Sequence, residues 1–471
     1  MKFLREVALL FFAAALPAHA LYVNPDGHGQ ALIFPYYTAQ SANGNPYNTY
    51  ITIANRDGVP KALRVRVREG RNGREVASFN LYLNARAPED GPAQSGDVWA
   101  AAIVPTNIGP AIVTRDSSCT HFHHDFSASP PTLHFSNASF TGANADTFGN
   151  DAERLAEGYI EVFEMGTLAT RASCSALLAL PPSAAAPPTG GLSGTLTVIN
   201  VANGTDFTVN AVALQDVATQ SYYRADASAY PDWDAAEVNR VAAFVQDGKM
   251  YRSTWPSGVG ALDAVLMQSV INNEVVLDAA TASSTDWVFT FPTKRYHTGT
   301  TPTPPFTPGL LQGRDVPLRL NFATREGEAT TYVDGCGFLC PGNTIEADIR
   351  LRWASSVLAF RPSGSPASAG TSDALGSRNS WGLALPPGAR NGSAQVSFGG
   401  FGGTPSMTFT AAATRISDGA LTNESVRIDG LPLLGFMVRT FQNGTLTCTG
   451  ASCQGNYGGS FPHKYTRTLG P

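Results

Sequence analysis

The strictest pattern in the sequence is an alternation of apolar and polar residues on either side of an Asn-Gly pair. In residues 63–68 leucine and valine alternate with arginine, and a second alternation occupies residues 77–83. Successive side chains of a strand point to opposite faces of a sheet, so strict alternation is typical of a half-buried β-strand. Asn72 and Gly73 are residue types that tolerate the positive φ angles of a type I′ turn. The two runs are therefore predicted to form one antiparallel hairpin.

Further strands are predicted on both sides of this hairpin. Residues 31–34 and 50–53 precede it and a strand beginning at Val98 follows it, which together give a β-meander. Glycine and proline contribute 46 and 32 of the 471 residues, while charged residues make up only 15%. Many turn-forming residues and few charges favour an all-β protein over a helical one. The predicted fold class is all-β with antiparallel β-sandwich domains: an N-terminal, immunoglobulin-like sandwich that carries the meander, and a larger β-rich region.

The first twenty residues have the features of an export signal. Lys2 and Arg5 precede the apolar residues 7–16, and Ala18 to Ala20 form a small-x-small cleavage motif. We therefore expect a signal peptide at residues 1–20 and a mature, exported chain that begins at Leu21. Its destination is the periplasm, the outer surface or the medium. No later stretch reaches about 18 uninterrupted apolar residues, so we expect no transmembrane segment in the mature chain.

Charge and low-complexity composition bound the partners and the domains. The formal charge is −5, and removal of the signal peptide takes away two positive charges and one negative charge, which makes the chain slightly more acidic. A mildly acidic protein is a poor candidate for binding nucleic acid. Residues 181–191 are rich in proline, alanine and glycine and are predicted to be a linker or long loop. The predicted division is an N-terminal sandwich at 21–180 and a C-terminal β-rich domain at 192–471.

The chain has six cysteines, an even number that fits an oxidising compartment. Fifteen pairings are possible in principle. The simplest pairing joins neighbours in sequence and leaves one long-range bridge: Cys336–Cys340, Cys448–Cys453 and Cys119–Cys174. Local bridges of this kind mainly fix the shape of a loop, because they close short loops. A thiolate zinc site formed by Cys336, Cys340, Cys448 and Cys453 is the alternative.

A histidine-rich stretch lies in the predicted long loop at residues 115–150. On a strand, His121 and His123 would project to one face at a spacing that Zn²⁺ or Cu²⁺ accepts, with Asp125 as a third ligand and His134 as a fourth. No H-E-x-x-H or comparable motif supports a metal site here. The simpler interpretation is a polar loop beside the predicted disulfide of Cys119.

The arginines of the hairpin are candidate ligand-binding residues. Arg64, Arg66 and Arg68 form a row that could bind an anionic polysaccharide or the acidic edge of a partner protein. The simpler interpretation is the solvated face of an antiparallel strand, which also discourages pairing at the sheet edge.

A second candidate lies near Trp233, which is flanked by Asp232 and Asp234. Two carboxylates beside an aromatic ring are typical of a glycosidase or a sugar-binding cleft. Acidic residues in such a turn-rich segment also serve as N-caps of a following helical turn, which is the simpler interpretation.

Several segments spread over the chain resemble a family of uncharacterised exported and surface β-rich proteins of Gram-negative bacteria. The resemblance lies in residues 22–27, 29–30, 35–38, 69–76, 79–83, 97–99, 286–288, 291–295 and 456–459. It implies export and one shared architecture, and it assigns no catalytic residue.

The function that these observations favour is a non-enzymatic one. The sequence has no G-x-S-x-G elbow, no S-x-x-K motif and no phosphate-binding glycine loop between a strand and a helix. We therefore expect a surface or periplasmic protein that binds a ligand or assembles, either with itself or with another surface protein or polysaccharide. The alternative is a secreted metal-dependent or glycan-acting hydrolase built on the 115–150 loop and residues 222–255.

Overall fold

Strands dominate the chain, as the alternating patterns predict. The computed structural model describes residues 19–42, 45–84, 96–122, 129–169, 173–225, 230–298, 301–306, 315–333, 342, 344–347, 349–365, 369–399, 403–448 and 451–470. Strands make up 54% and helices 10%, and the strands form several antiparallel sheets. The predicted all-β, sandwich-type class is therefore confirmed.

The described residues up to 225 contain the following elements. The strands are β1 (Tyr22–Val23), β2 (Ala31–Thr38), β3 (Ser41–Ala42), β4 (Asn45–Asn55), β5 (Lys61–Glu69), β6 (Glu75–Leu83), β7 (Val98–Thr106), β8 (Gly109–Val113), β9 (Cys119–Thr120), β10 (Thr132–His134), β11 (Glu157–Leu168), β12 (Ala185–Ala186), β13 (Leu192–Asn200), β14 (Thr205–Asn210) and β15 (Val212–Gln215). Helix α1 is Cys174–Leu178, and short 3₁₀ turns lie at Ala138–Phe140, Gly142–Asn144, Ala152–Ala156 and Pro182–Ala184.

The described residues from 230 onward contain twenty further strands. They are β16 (Val241–Gln246), β17 (Lys249–Thr254), β18 (Met267–Gln268), β19 (Val270–Val276), β20 (Ser284–Thr290), β21 (Val316–Thr324), β22 (Ala329–Val333), β23 (Thr344–Glu346), β24 (Arg350–Leu351), β25 (Ser355–Arg361), β26 (Ala369–Gly370), β27 (Ser380–Ala384), β28 (Asn391–Phe398), β29 (Ser406–Arg415), β30 (Leu421–Asp429), β31 (Leu431–Pro432), β32 (Leu434–Cys448), β33 (Ala451–Pro462), β34 (Lys464–Thr466) and β35 (Thr468–Gly470). Helices α2 (Gly258–Leu266) and α3 (Lys294–His297) and a 3₁₀ turn at Ala279–Thr281 complete this part.

Two sheets face each other across the first core. One has the strand order β1-β15-β2-β11-β5-β6-β9, with β12 beside β11, and the other has the order β10-β8-β7-β4-β13-β14, with β3 beside β4. Apolar side chains of both sheets, such as Val65 and Ile53, belong to one continuous buried cluster. The strand order differs from a simple meander, because β11 lies between β2 and β5 while β4 and β7 belong to the opposite sheet.

The hairpin of β5 and β6 is present, but its connection is longer than the predicted two-residue turn. Of Asn72 and Gly73, only Gly73 has a positive φ, of 66°. The buried carboxylate of Glu69 accepts backbone N–H groups from Arg71 at 2.7 Å, from Asn72 at 2.9 Å and from Arg74 at 2.9 Å. The Glu69 side chain therefore satisfies three backbone N–H groups of this connection.

Two further sheets form a second sandwich, and one of them also packs against the first core. A sheet of order β23-β22-β21-β28-β19-β34, with β24 beside β21, packs against a sheet of order β26-β27-β25-β20-β32-β33. Trp287 and Met437 of the latter sheet enter the second core, whereas Val288 and Val438 enter the first. At these positions strands β20 and β32 are therefore buried on both faces, because their alternating side chains serve two cores.

A smaller sheet of order β16-β17-β29-β30-β35 carries its own apolar cluster, and β18 pairs with β31 beside it. Helix α2 begins at Gly258 after the N-cap Ser257 and ends at Leu266, whereas the sequence pattern predicts a helix over residues 262–270. The helix ends before residue 270 because Met267 and Val270 already belong to strands. Among the described residues, no helix is long and apolar enough to cross a membrane.

Strands that follow the predicted linker at residues 181–191 pair with strands that precede it. Strand β13 pairs with β4 from Leu192 opposite Asn55 to Asn200 opposite Tyr47, and β15 pairs with β2. The first strands after that segment therefore extend both sheets of the N-terminal core. The division into domains at 21–180 and 192–471 stays a prediction.

The long-range disulfide of the sequence analysis is confirmed. Cys119 and Cys174 are bonded, with their Cα atoms 5.2 Å apart, and the bridge joins β9 to α1. Cys448 and Cys453 lie in the last hairpin, opposite Ala451 and Leu446 respectively, and their pairing stays a prediction. Residues 336 and 340, the third predicted pair, lie outside the described residues.

Candidate functional site

The arginine row of β5 is buried, which corrects its interpretation as a solvated strand face. Arg64, Arg66 and Arg68 are 0%, 3% and 2% exposed. The side chains that cover this face come from far along the chain: Arg66 donates to the carbonyl oxygen of Pro231 at 2.7 Å, and residues around it belong to a separate apolar cluster. The burial of these arginines is tolerated because carboxylates on neighbouring elements compensate their positive charge.

Three carboxylates compensate the row: Glu75 of β6, which lies 2.6 Å from Arg66 Nη2, and Glu161 and Asp232. Arg68 donates to Glu161 through Nε and to both oxygens of Asp232 through Nη2, at 3.1 and 3.2 Å. Arg66 Nη1 lies 3.2 Å from Asp232 Oδ2, and Arg295 also contacts Asp232. Burial raises the pKa of Asp232, but the nearby guanidinium groups outweigh it and hold this pKa well below its usual range. We call Arg66, Arg68, Arg295, Glu161 and Asp232 the buried charge cluster.

Trp233 lies beside this cluster rather than in a cleft. Its side chain is fully buried, its Nε1 donates to Glu161 Oε1 at 2.8 Å, and its ring packs on Phe163 at a centroid distance of 4.7 Å. Asp232 points into the charge cluster, whereas Asp234 is exposed, so the two carboxylates that flank Trp233 occupy different environments. The ligand-binding role predicted for Trp233 and the arginines stays a prediction, and the structure places all four side chains in the interior.

The predicted histidine site is only partly described. His121 Nε2 lies 2.8 Å from the carbonyl oxygen of Ala225, and His134 is exposed on β10. His123 and Asp125 lie outside the described residues. Among the residues that the structure describes, no group of three or more His, Cys, Asp or Glu side chains is placed to hold a metal ion. The zinc or copper site stays a prediction.

A polar face that the sequence analysis did not identify lies on the outer side of the second sandwich. A shallow groove of about 430 Å³ runs across this sheet, with Asn272, Asn321 and Gln395 on its floor. Thr331 Oγ1 donates to Asn321 Oδ1 at 3.0 Å, Asn321 Nδ2 to Gln395 Oε1 at 3.4 Å, and Gln395 Nε2 to Asn272 Oδ1 at 3.1 Å. We call this chain of side chains, with Lys464 at its end, the amide row.

Strand register and alternation together place the amide row. Asn321 is opposite both Thr331 and Gln395, and Asn272 is opposite both Gln395 and Lys464. Strand neighbours of the three amides, namely Leu320, Phe322, Val396 and Ile271, are buried in the second core. The row therefore crosses five adjacent strands, which at the spacing of a sheet is roughly 19 Å.

An aromatic stripe adjoins the amide row. The rings of Phe441 and Tyr457 stack at a centroid distance of 5.0 Å, and the guanidinium group of Arg439 lies 4.5 Å from the ring centroid of Phe461. Tyr457 and Phe461 are 50% and 37% exposed. A Cβ atom at Gly459 would come within 3.1 Å of the Phe461 ring, so glycine leaves space for that ring to lie close to the sheet. We call these four side chains the aromatic stripe.

One ion pair and the covalent chain itself connect the stripe to the row. Arg439 Nη1 lies 3.2 Å from Glu274 Oε2, and Glu274 lines the same groove as the amide row. The chain itself also runs from Phe461 through the buried His463 to Lys464. The row and the stripe thus belong to the two different sheets of the second sandwich and meet at the Arg439–Glu274 contact. Together they are a candidate interaction surface, which we call the binding face.

Comparison of the chain with protein-family models, with curated proteins and with solved structures gave no match. The binding face therefore rests on its own geometry.

His463 anchors the segment between stripe and row. Its ring stacks on Phe289 at 5.2 Å, its Nε2 lies 2.9 Å from the carbonyl oxygen of Val288, and its Nδ1 faces the side-chain amide of Asn273. A carbonyl only accepts, so Nε2 carries the hydrogen and Nδ1 accepts from the amide. This ring is neutral, and burial lowers the pKa of His463 to about 4.

A larger groove, of about 700 Å³, lies elsewhere and is a weaker candidate. Its lining includes His19 and Ala20, which belong to the predicted signal peptide and would be absent from a cleaved chain. In an exported, cleaved protein this groove would therefore lack the part of its lining that His19 and Ala20 contribute. The amide row depends on no residue before Leu21.

We predict that Asp232→Asn strongly destabilises the protein. The substitution leaves Arg66, Arg68 and Arg295 buried with one carboxylate fewer, which should lower the free energy of unfolding by about 3–5 kcal/mol. Denaturant unfolding measures the change. Asp234→Asn, at an exposed position two residues away, should stay within about 0.5 kcal/mol of the wild type. Equal effects of the two substitutions would show that the cluster does not hold the fold together.

We also predict an acid-sensitive contribution from His463. Its folded pKa lies below the ordinary value of 6.5, so between these two pKa values the unfolded chain binds more protons and stability rises with pH. Between pH 7 and pH 4 the wild type should therefore lose about 3 kcal/mol more than His463→Gln does. Urea unfolding at several pH values measures both slopes, and parallel slopes would contradict the assignment.

Proposed function

We propose that the protein is exported and acts, without enzymatic activity, as a binding protein of the periplasm or the cell surface. The binding face is its interaction surface. Partners of two kinds fit the sequence: another surface molecule, or a second copy of the chain in an assembly. The chemistry of the binding face favours another surface molecule as the partner.

The observation that carries this proposal is the amide row. Asn272, Asn321 and Gln395 are held by cross-strand hydrogen bonds, yet a side-chain amide has two N–H donors and two acceptor lone pairs. Each internal bond uses one donor and one lone pair, so each amide keeps hydrogen-bonding capacity for a ligand. Side chains already ordered in the free protein lose less entropy when they bind.

The chemistry of the face supports binding rather than catalysis. Amide and hydroxyl side chains orient a ligand through hydrogen bonds, but amides neither ionise nor act as general acids or bases near neutral pH. The charged residues that line the groove are Glu274 and Lys464, and Glu274 is paired with Arg439. The floor is also rigid, because every second residue of its strands is fixed in the second core.

The alternative, a secreted metal-dependent or glycan-acting hydrolase, is built on the histidine stretch of the 115–150 loop and on residues 222–255. Metal analysis of the purified protein separates the two functions. A stoichiometric metal that is lost in the double variant His121→Ala with His123→Ala would favour the hydrolase. A protein without bound metal whose binding depends on the amide row would favour the proposed role.

The proposed function predicts that the amide row retains the protein at the cell envelope. In the producing cell, the wild type should co-sediment with the envelope, and Asn321→Ala with Gln395→Ala should shift it to the soluble fraction. Asn423→Ala removes an exposed strand amide from another sheet and should leave retention unchanged. Quantitative immunoblots of the fractions provide the measurement.

Two further outcomes decide this test. The same fractionation for all three proteins, with unchanged unfolding curves, would remove the binding role from the face. The intact mass of the protein in each fraction checks the export step, since the proposal expects a chain that begins at Leu21. A full-length chain confined to the cytosol would contradict export.

A further inference from the structure

We infer that the ligand of the binding face is a neutral polysaccharide, held by hydrogen bonds along the amide row and by stacking on the aromatic stripe. The inference rests on the proposed function and goes beyond it, because it names the chemical class of the ligand. Four features of the face support it: the donor and acceptor pattern, the exposed rings, the charge and the length.

The hydrogen-bonding pattern of the row matches hydroxyl groups. A hydroxyl is at once a donor and an acceptor, and so is each side-chain amide. A row of Asn272, Gln395 and Asn321, ended by Thr331, therefore meets a succession of sugar hydroxyls without leaving a donor or acceptor unmatched. A carboxylate or phosphate ligand would offer acceptors alone and would use only half of this capacity.

The aromatic stripe supplies the apolar half of sugar recognition. Tyr457 and Phe461 are exposed on the same face of β33, because they are four positions apart on a strand whose side chains alternate with a period of two. An exposed ring offers a flat apolar surface, and the tyrosine adds a hydroxyl at its edge. Sugar rings also have an apolar C–H face and a polar rim, so one ligand satisfies both the stripe and the row.

The charges on the face favour a neutral ligand. Arg439 is the cation nearest the rings, and its guanidinium group is paired with Glu274 at 3.2 Å. The row is uncharged apart from Lys464 at one end. A polyanion is recognised instead by clustered arginines and lysines, and the arginine row that the sequence offers for that purpose is buried under residues 231–233.

The length of the face favours a polymer over a single sugar. The amide row crosses five strands, roughly 19 Å, and the stripe extends the surface beyond Lys464. A protein partner is less well matched, because the centre of a protein interface is enriched in apolar and aromatic residues. Here the centre is a row of amides and the aromatic residues lie to one side.

Native electrophoresis in gels that contain a polysaccharide tests the inference. The probes are hydroxyethyl cellulose, a soluble β-1,3-glucan, a mannan and a galactan as neutral polymers, with alginate as the anionic comparison. We expect at least one neutral polymer to retard the purified, full-length exported protein. The apparent affinity should fall at least tenfold both in Asn321→Ala with Gln395→Ala and in Tyr457→Ala with Phe461→Ala.

Matched controls separate recognition from loss of folding. Tyr465→Ala removes a tyrosine that is also 50% exposed but lines the other groove, and it should bind like the wild type. Gln395→Glu keeps the shape of the side chain and replaces its N–H donors with a carboxylate. It should weaken binding to the neutral polymer, and it remains informative if an alanine pair fails to fold.

Each remaining outcome overturns the inference. No retardation by any neutral polymer, or equal retardation of wild type and both variant pairs, would do so. Retardation by alginate alone, abolished at high salt, would identify an anionic ligand instead. If the amide row still controls envelope retention in these cases, the proposed function stands and only the ligand class fails. If retention is also independent of the row, both fail.

Discussion

The fold depends on a buried set of charges at the outer face of β5. Arg66 and Arg68 extend from the strand, Glu161 from the adjacent β11, and Asp232 and Arg295 from segments far along the chain. Burying these ions is costly unless each has a partner in good geometry. The arrangement therefore requires that all four segments be in place together, and it fixes where residues 231–233 cover the first sheet. Trp233, which donates to Glu161, adds an apolar anchor to the same contact.

The second constraint is the sheet that two cores share. Strand β20 sends Val288 into the first core and Trp287 into the second, and β32 does the same with Val438 and Met437. A strand buried on both faces has no polar alternation, and its register is fixed from both sides. Movement of one sandwich against the other would disrupt packing in both, so the second sandwich presents the binding face on a rigid support.

Much of this architecture could be predicted from alternation alone, but the partners of each face could not. The hairpin of β5 and β6 follows from residues 63–83, because alternation and turn residues are local signals. The burial of Arg64, Arg66 and Arg68 could not be predicted in this way, because the segment at residues 231–233 that covers Arg66 and Arg68 lies more than a hundred residues away in the chain. The amide row was missed for the same reason: Asn272, Asn321 and Gln395 each look like ordinary outward residues of separate strands. Only the register between non-consecutive strands brings them into contact.

The same register explains why the binding face is polar but sparsely charged. An outer sheet face needs only hydrophilic residues to stay in water, and charged side chains are the common solution because they also oppose association of sheets. In the amide row, neutral side chains instead bond to one another across the strands, which restricts their rotamers before any ligand arrives. A solvated surface gains little from that order, because water satisfies freely moving amides equally well. A ligand that must meet several donors and acceptors at once gains from it directly, since fewer side chains lose freedom on binding.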